Sequence, residues 1–429
     1  MELNGLSLDQ APPISAPLRF FLTAPLFGIV AGFLILFGDA TTLSSRFSYE
    51  AIAITHAITI GFIAFVMLGA LTQMLPVLAG VKIPKVAFIV KYAHILLVLG
   101  TISMIVGFLS SESLFYMIAA AGLGIGFLMM LITIALAIKS VTNFNPTVRG
   151  MAVSVVFAFS IVLMGLHLLG SHVSGNISEY QLIIANVHSV WAVFGFGGVL
   201  IIGVAFQVLP MFYVAPRFKN FCKRRVTLLI SIGLLLWFVL NLFYEEYSVV
   251  AKIWIALFFW AFATTVWKKL NARRRPISDV TVWYWRVASL SLTVGSFLWV
   301  FDEYFSSEHI VITSIIIGGG FLLSIIVGML YKIVPFLVWF HLNAMGYMTI
   351  PTMNEMIDKK WAKVQFFLFI ISLVGFIVSF FIPSLLAIFA LTFIASMIIL
   401  EYNIIAPIMV YVKTKKTKPD FDMNAFATT

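Results

Sequence analysis

The chain has 429 residues, of which 62% are hydrophobic and only 10% are charged, and its mean hydropathy is +1.08. This composition excludes a soluble globular protein, because one core could not bury so much apolar surface, and it indicates a polytopic membrane protein. The net charge of +10 does not indicate a nucleic-acid partner, because the basic residues lie mainly in the loops on one side of the membrane. Membrane lipids with anionic head groups are the partners that this charge predicts.

Twelve apolar runs are long enough to cross a bilayer, which takes about 20 residues in a helix. They cover residues 17–38, 52–78, 86–108, 114–138, 150–172, 181–212, 226–244, 248–267, 280–301, 309–340, 361–381 and 383–412. The sequence therefore predicts a single all-α membrane domain over residues 1–429, with about twelve transmembrane helices and a C-terminal tail over residues 413–429.

The basic residues concentrate on one side of the predicted helices. Of the 27 lysines and arginines, 24 lie in alternate loops, near Arg19 or in the tail, whereas the opposite loops hold nine acidic residues. Basic loops of membrane proteins stay on the cytoplasmic side. We therefore predict that both termini are cytoplasmic and that the tail is a cytoplasmic tail.

A motif of the form Gly-x-x-x-[Gln/Lys]-x-x-Pro recurs at the ends of predicted helices 2, 6 and 10. The copies cover residues 69–76, 203–210 and 328–335. Their spacing of 125 to 134 residues suits a four-helix unit repeated three times in a membrane. The predicted repeats cover residues 17–138, 150–267 and 280–412.

Each of these three helices carries a histidine near its start: His56, His188 and His309. Two more, His167 and His172, lie toward the same outer face on predicted helix 5. Imidazole inside an apolar helix is costly unless it is hydrogen-bonded, metal-bound or facing water, so this level of histidines predicts a shared metal site. His56 precedes its glycine by 13 residues and His188 by 15, which on straight helices points the two side chains about 160° apart. We therefore do not expect the histidines to be equivalent ligands.

Two kinds of metal centre are compatible with these residues. Haem suits two imidazoles on separate helices, with its propionates near water. Arg46 and Lys252 are the two bases on the outer side, and we predict that they bind those propionates. A bare copper or zinc ion needs three or four ligands, for which His167 and His172 are secondary candidates. The single cysteine, Cys222, leaves no disulfide within the chain, and without a Cys-x-x-Cys-His motif any haem would be non-covalent and b-type.

The segment from His56 to Gly80, HAITIGFIAFVMLGALTQMLPVLAG, resembles the second-helix motif of the NnrS family. Twelve helices with outer histidines on helices 2, 6 and 10 also resemble subunit I of the haem-copper oxidases. The resemblance implies three four-helix arcs, a haem b ligated by His56 and His309, and His188 as a distal group or second metal ligand. It further implies a bacterial inner-membrane protein with haem and copper centres linked to nitric oxide metabolism. A respiratory-chain electron donor is the partner that this resemblance implies.

The chain departs from a true oxidase in one important respect. Predicted helix 7, residues 226–244, contains no histidine, so the paired copper ligands of an oxidase are missing and reduction of dioxygen is not expected. Whether the chain is an enzyme at all stays open. Two rival interpretations are a transporter of copper, haem or another small solute, with Gln73, Gln207 and Lys332 along its path, and an assembly factor for a respiratory complex.

Overall fold

The computed structural model of the chain describes residues 12–39, 45–274, 279–304 and 307–421. Within these residues the structure is helical and contains no strand, which confirms the all-α prediction. The long helices, numbered in chain order, are α1 (Ser15–Phe37), α2 (Tyr49–Ala79), α3 (Val86–Ser110), α4 (Ser113–Lys139), α5 (Pro146–Ser174), α6 (Gln181–Tyr213), α7 (Asn220–Phe243), α8 (Glu245–Asn271), α9 (Val280–Val300), α10 (His309–Ala344), α11 (Lys359–Ser379) and α12 (Pro383–Thr414).

Among the described residues, eleven helices are long and apolar enough to cross a membrane, which confirms a multi-pass membrane protein. The exception among the twelve predicted spans is α9, a helix of 21 residues. Arg286 and several serines and threonines make α9 less apolar than the others. It nevertheless packs against α8 and α10 inside the bundle. The grouping of the helices into three arcs stays a prediction.

Helices α2, α6 and α10 each contain a π-helical segment. The segments are Thr59–Ala64, Trp191–Gly198 and Ile315–Leu323. Each ends five positions before the glycine of the repeated motif and twelve before its proline. Because these two spacings are equal in all three helices, the helices are in the same register from the π-helical segment to the proline. Segments of this kind are rare and occur frequently at functional sites.

The same three helices pack against the first helix of their own predicted repeat. A Cβ atom at Gly69 would lie 2.9 Å from Phe20 Cβ on α1, and one at Gly328 would lie 2.6 Å from Tyr284 Cβ on α9. At the corresponding place on α6, Gly203 packs directly on the backbone of α5. The motif glycines thus allow close helix contact at equivalent positions of the three helices.

A buried hydrogen-bond network joins α9, α10, α11 and α12. Tyr284 and Tyr331 both donate to the side-chain oxygen of Gln365, at 2.6 and 3.1 Å. The Gln365 amide donates to Ser396 at 3.1 Å, and the Asn403 amide donates to Tyr331 at 2.9 Å. All five side chains are buried. Since every such group must be satisfied inside a membrane, the network holds these four helices in one arrangement.

We call the end of the bundle at which α2, α6 and α10 begin the histidine end, and the end at which they terminate the proline end. The tail after α12 lies against the loop after α10 at the proline end. The Asp420 carboxylate accepts from the amides of Met348 and Thr349, at 2.6 and 2.8 Å, and Tyr347 donates to the Thr417 carbonyl at 2.9 Å. The predicted tail is thus docked as far as residue 421, and residues 422–429 lie outside the described residues.

Candidate metal centre

His56 on α2 and His188 on α6 lie side by side at the histidine end. Their ring centroids are 6.3 Å apart, and the ring planes are inclined by 33°. The Nδ1 atom of His56 is 2.8 Å from the Ile52 carbonyl oxygen, and that of His188 is 3.1 Å from the Ile161 carbonyl oxygen. A carbonyl acceptor at Nδ1 places the ring proton there and leaves Nε2 as the basic nitrogen, which is how ligand histidines are commonly oriented.

On straight helices the spacing of His56 and His188 from their motif glycines would point the two side chains about 160° apart, but neither helix is a regular α-helix over this stretch. Each histidine precedes the first residue of its π-helical segment, Thr59 or Trp191, by three positions. The extra two residues of α6 fall inside that segment, which has eight residues against six in α2. A π-helical segment turns less per residue than an α-helix, so straight α-helical geometry does not hold between these histidines and their motif glycines. The two histidines are equivalent in their distance from the π-helical segment.

Gly165 on α5 provides the surface against which the His188 ring lies. A Cβ atom at this position would come within 3.1 Å of His188 Cε1. Together with the Ile161 carbonyl one turn earlier on α5, this contact fixes both the position and the tautomer of the imidazole. Neither Gly165 nor Ile161 could be recognised from the sequence, because each acts from a neighbouring helix and is an apolar residue among many.

The two bases predicted to bind propionates belong to one cluster at the histidine end. Arg46 donates to the Asn186 side-chain oxygen at 2.5 Å, and Asn186 is two residues before His188. Lys252, only 5% exposed, forms an ion pair of 2.6 Å with Asp302. Burial lowers the pKa of Arg46, and the charge of Asp302 partly offsets that effect. Asp302 therefore lies within electrostatic reach of both bases. The sequence does not predict that Asp302 and Asn186 belong to this cluster.

His172 occupies an aromatic cluster instead of the neighbourhood of the histidine pair. Its ring centroid is 5.2 Å from those of Phe108 and Tyr116 and 5.6 Å from that of Tyr49. These contacts join the ends of α2, α3, α4 and α5. Ring packing of this kind stabilises helix ends, and it gives His172 a structural role in the described part of the chain.

His167 is exposed and lines an apolar groove between α5, α6 and α7. The groove has a volume of about 540 Å³, and its polar lining is confined to His167, Ser178 and Tyr180. His167 and His172 have different surroundings, so the structure does not bring them together as joint ligands. Across the described residues, no group of three or more histidine, cysteine or acidic side chains could hold a metal ion.

His309, the third predicted ligand, is an exposed residue near the start of α10. It precedes its π-helical segment, which starts at Ile315, by six positions where His56 and His188 precede theirs by three. Ligation of haem by His56 and His309 stays a prediction.

The polar residue of the third repeat, Lys332, forms an ion pair of 2.5 Å with Asp279 at the proline end. Asp279 also caps α9 by accepting from the amides of Thr281 and Val282. Burial alone would raise the pKa of Asp279, but the Lys332 charge and these hydrogen bonds outweigh it and hold the pKa below its usual range. Asp279 is therefore ionised at neutral pH and fixes the Lys332 side chain.

Comparison with models of known protein families and with curated proteins finds no match. The assignment of a function therefore depends on the geometry of the histidine end.

Proposed function

We propose that the chain is an integral membrane protein that holds a b-type haem at the histidine end, where His56 and His188 would be the residues that hold it. The observation that carries this proposal is the pair of neighbouring imidazoles on separate helices, each with Nδ1 against a backbone carbonyl. When bound, haem would supply a redox-active iron that can also bind small gaseous ligands. A link to nitric oxide or to respiratory electron transfer belongs to the same proposal.

The donor set of the site fits haem better than a bare metal ion. The ring centroids of His56 and His188 are 6.3 Å apart, so both imidazoles lie within reach of one metal centre. A bare copper or zinc ion needs a third and fourth ligand from the protein, whereas the described residues offer no group of three. Haem brings four nitrogen ligands of its own.

The surrounding residues have defined tasks in this proposal. Arg46 and Lys252 would bind the propionates, because both lie in the cluster that begins two residues from His188. The Ile52 and Ile161 carbonyls hold the ring protons on Nδ1, so that Nε2 of each histidine is the ligand atom. His309 is the alternative partner for His56, as the family resemblance implies.

The test is a dithionite-reduced minus oxidised optical spectrum and a pyridine haemochrome assay on protein purified in detergent after growth with iron. We expect stoichiometric b-type haem in the natural protein and its loss in His56→Ala. His167→Ala, in the exposed groove, is the matched control and should keep its haem. A colourless natural protein, even after haem supplementation, would contradict the proposal.

A transporter is the second candidate, and one observation favours it. Gln73, on a kinked membrane helix, is buried, and its amide atoms have no hydrogen-bond partner among the described residues. Unwound or kinked helices with polar groups are features of translocation paths. Uptake of copper or haem into vesicles that is abolished by Lys332→Met would support transport, and uptake equal to that of empty vesicles would exclude it.

A further inference from the structure

Basic side chains crowd one corner of the bundle at the proline end. Ten of the described lysines and arginines lie at residue 149, within 217–225 and within 268–274, and we call this set the basic corner. These residues stand near the start of α5, around the start of α7 and around the end of α8. Because like charges repel one another, a cluster of this size requires anions nearby.

Backbone carbonyls hold the three segments of the basic corner together. Arg149 donates to the Arg224 carbonyl at 3.3 Å, which joins the starts of α5 and α7. Lys269 donates to the carbonyls of Pro216 and Arg217, at 3.0 and 2.8 Å, which joins the end of α8 to the loop before α7. The fold therefore fixes these like charges close together, and their repulsion is not relieved by moving the segments apart.

The acidic residues of this part of the chain lie elsewhere. Within residues 142–274 they are Glu179, Glu245 and Glu246, and all three lie at the histidine end. Asp279, the next acidic residue along the chain, forms its ion pair with Lys332. The stretch of the described chain that builds the basic corner thus supplies no carboxylate to neutralise it.

The basic corner lies at the level where lipid head groups meet the protein. Helix α7 begins at Asn220 and α8 ends at Asn271, so the corner lies at the boundary of two membrane helices. Phe221 and Trp267, at the same boundary, are 65% and 41% exposed. Exposed aromatic rings are typical of the membrane interface, and basic pockets between transmembrane helices bind the head groups of anionic lipids.

We propose that the basic corner is a binding site for an anionic phospholipid, whose phosphate lies among the bases that α5, α7 and α8 bring together. The net charge of the chain predicts anionic lipids around its basic loops in general, whereas this inference assigns one retained lipid to one place. It does not depend on the metal centre, which lies at the opposite end of the bundle.

The test is lipid binding by the full chain, purified in detergent and stripped of lipid. Thermal unfolding is followed while phosphatidylglycerol, phosphatidylcholine or inorganic phosphate is added, and native mass spectrometry counts the lipids that stay bound. The corner variant carries Lys223→Gln, Arg224→Gln and Arg225→Gln. It keeps the contact of Arg149, because that contact is with the backbone of Arg224.

The matched control carries Lys82→Gln, Lys91→Gln and Lys139→Gln, which remove three exposed charges at the proline end of α2, α3 and α4. We expect phosphatidylglycerol, but not phosphatidylcholine, to raise the melting temperature of the natural protein and of the control. The corner variant should bind phosphatidylglycerol at least about tenfold more weakly, because each base near an anionic head group contributes to binding.

Equal affinity in the two triple variants overturns the inference, because the effect then belongs to net charge alone. Equal stabilisation by inorganic phosphate, at the same phosphate concentration, shows a small-anion site and overturns the lipid as ligand. An acidic protein that occupies the corner of the purified natural chain in place of lipid also overturns it. Should the corner variant fail to fold, Arg225→Gln is compared with Lys139→Gln by the same criteria.

Discussion

Replacing Gln365 by leucine should destabilise the bundle strongly. Its side-chain oxygen accepts from Tyr284 and Tyr331, and its amide donates to Ser396. Leucine has nearly the same volume but leaves the two buried tyrosine hydroxyls without this acceptor. At about 1–3 kcal/mol for each unsatisfied buried group, the expected loss is about 2–6 kcal/mol. Tyr331 keeps its bond from Asn403, which places the result toward the lower half of that range.

The assay is the free energy of unfolding of Gln365→Leu in detergent micelles, with Tyr284→Phe as the matched partner. Tyr284→Phe removes the hydroxyl together with its hydrogen bond and should cost only about 1 kcal/mol. The double variant should cost less than the sum of the two single variants, because residues in one network are coupled. A loss below about 0.5 kcal/mol in Gln365→Leu, or strict additivity, would refute the role given to this network.

Two further predictions concern the histidine end and the proline end. Gly165→Val should displace the His188 ring and lower haem content, since a Cβ atom added at Gly165 would lie 3.1 Å from His188 Cε1. Gly170→Val should do neither, because a Cβ atom added there would meet no atom within 4 Å. Unchanged haem in both would contradict the contact. Because the pKa of Asp279 is lowered in the folded chain, its pair with Lys332 stabilises the fold above the usual carboxylate range, and that contribution disappears as the pH falls through the lowered pKa. Asp279→Asn should therefore unfold with a weaker dependence on pH in acid titrations, and an unaltered dependence would argue against the pair.

The membrane architecture could be predicted from the sequence because it depends on apolar runs, which are local. The repeated motif on α2, α6 and α10 was also visible, since a glycine, a polar residue and a proline recur at fixed spacing. The direction in which the His56 and His188 side chains point could not be predicted from the sequence, because it depends on helix geometry. Straight α-helices would point His56 and His188 about 160° apart from their motif glycines, whereas both helices contain a π-helical segment there and the two rings lie side by side.

The other errors and omissions have a common physical cause. His167 and His172, the secondary candidates five positions apart, lie in different surroundings: His167 lines an open groove and His172 packs among aromatic rings. Likewise, the contact of Arg46 with Asn186 joins residues 140 positions apart. Side-chain direction and long-range contact are set by tertiary packing, which single-sequence patterns do not contain.

The central claim is that His56 and His188 are the residues that hold a haem. The most direct measurement is the electron paramagnetic resonance spectrum of the oxidised protein, compared among the natural chain, His188→Ala and His309→Ala. We predict a low-spin signal from two imidazoles in the natural chain and in His309→Ala. In His188→Ala it should become high-spin and return on addition of free imidazole. A low-spin signal that survives in His188→Ala but is lost in His309→Ala would contradict this account and restore His309 as the ligand.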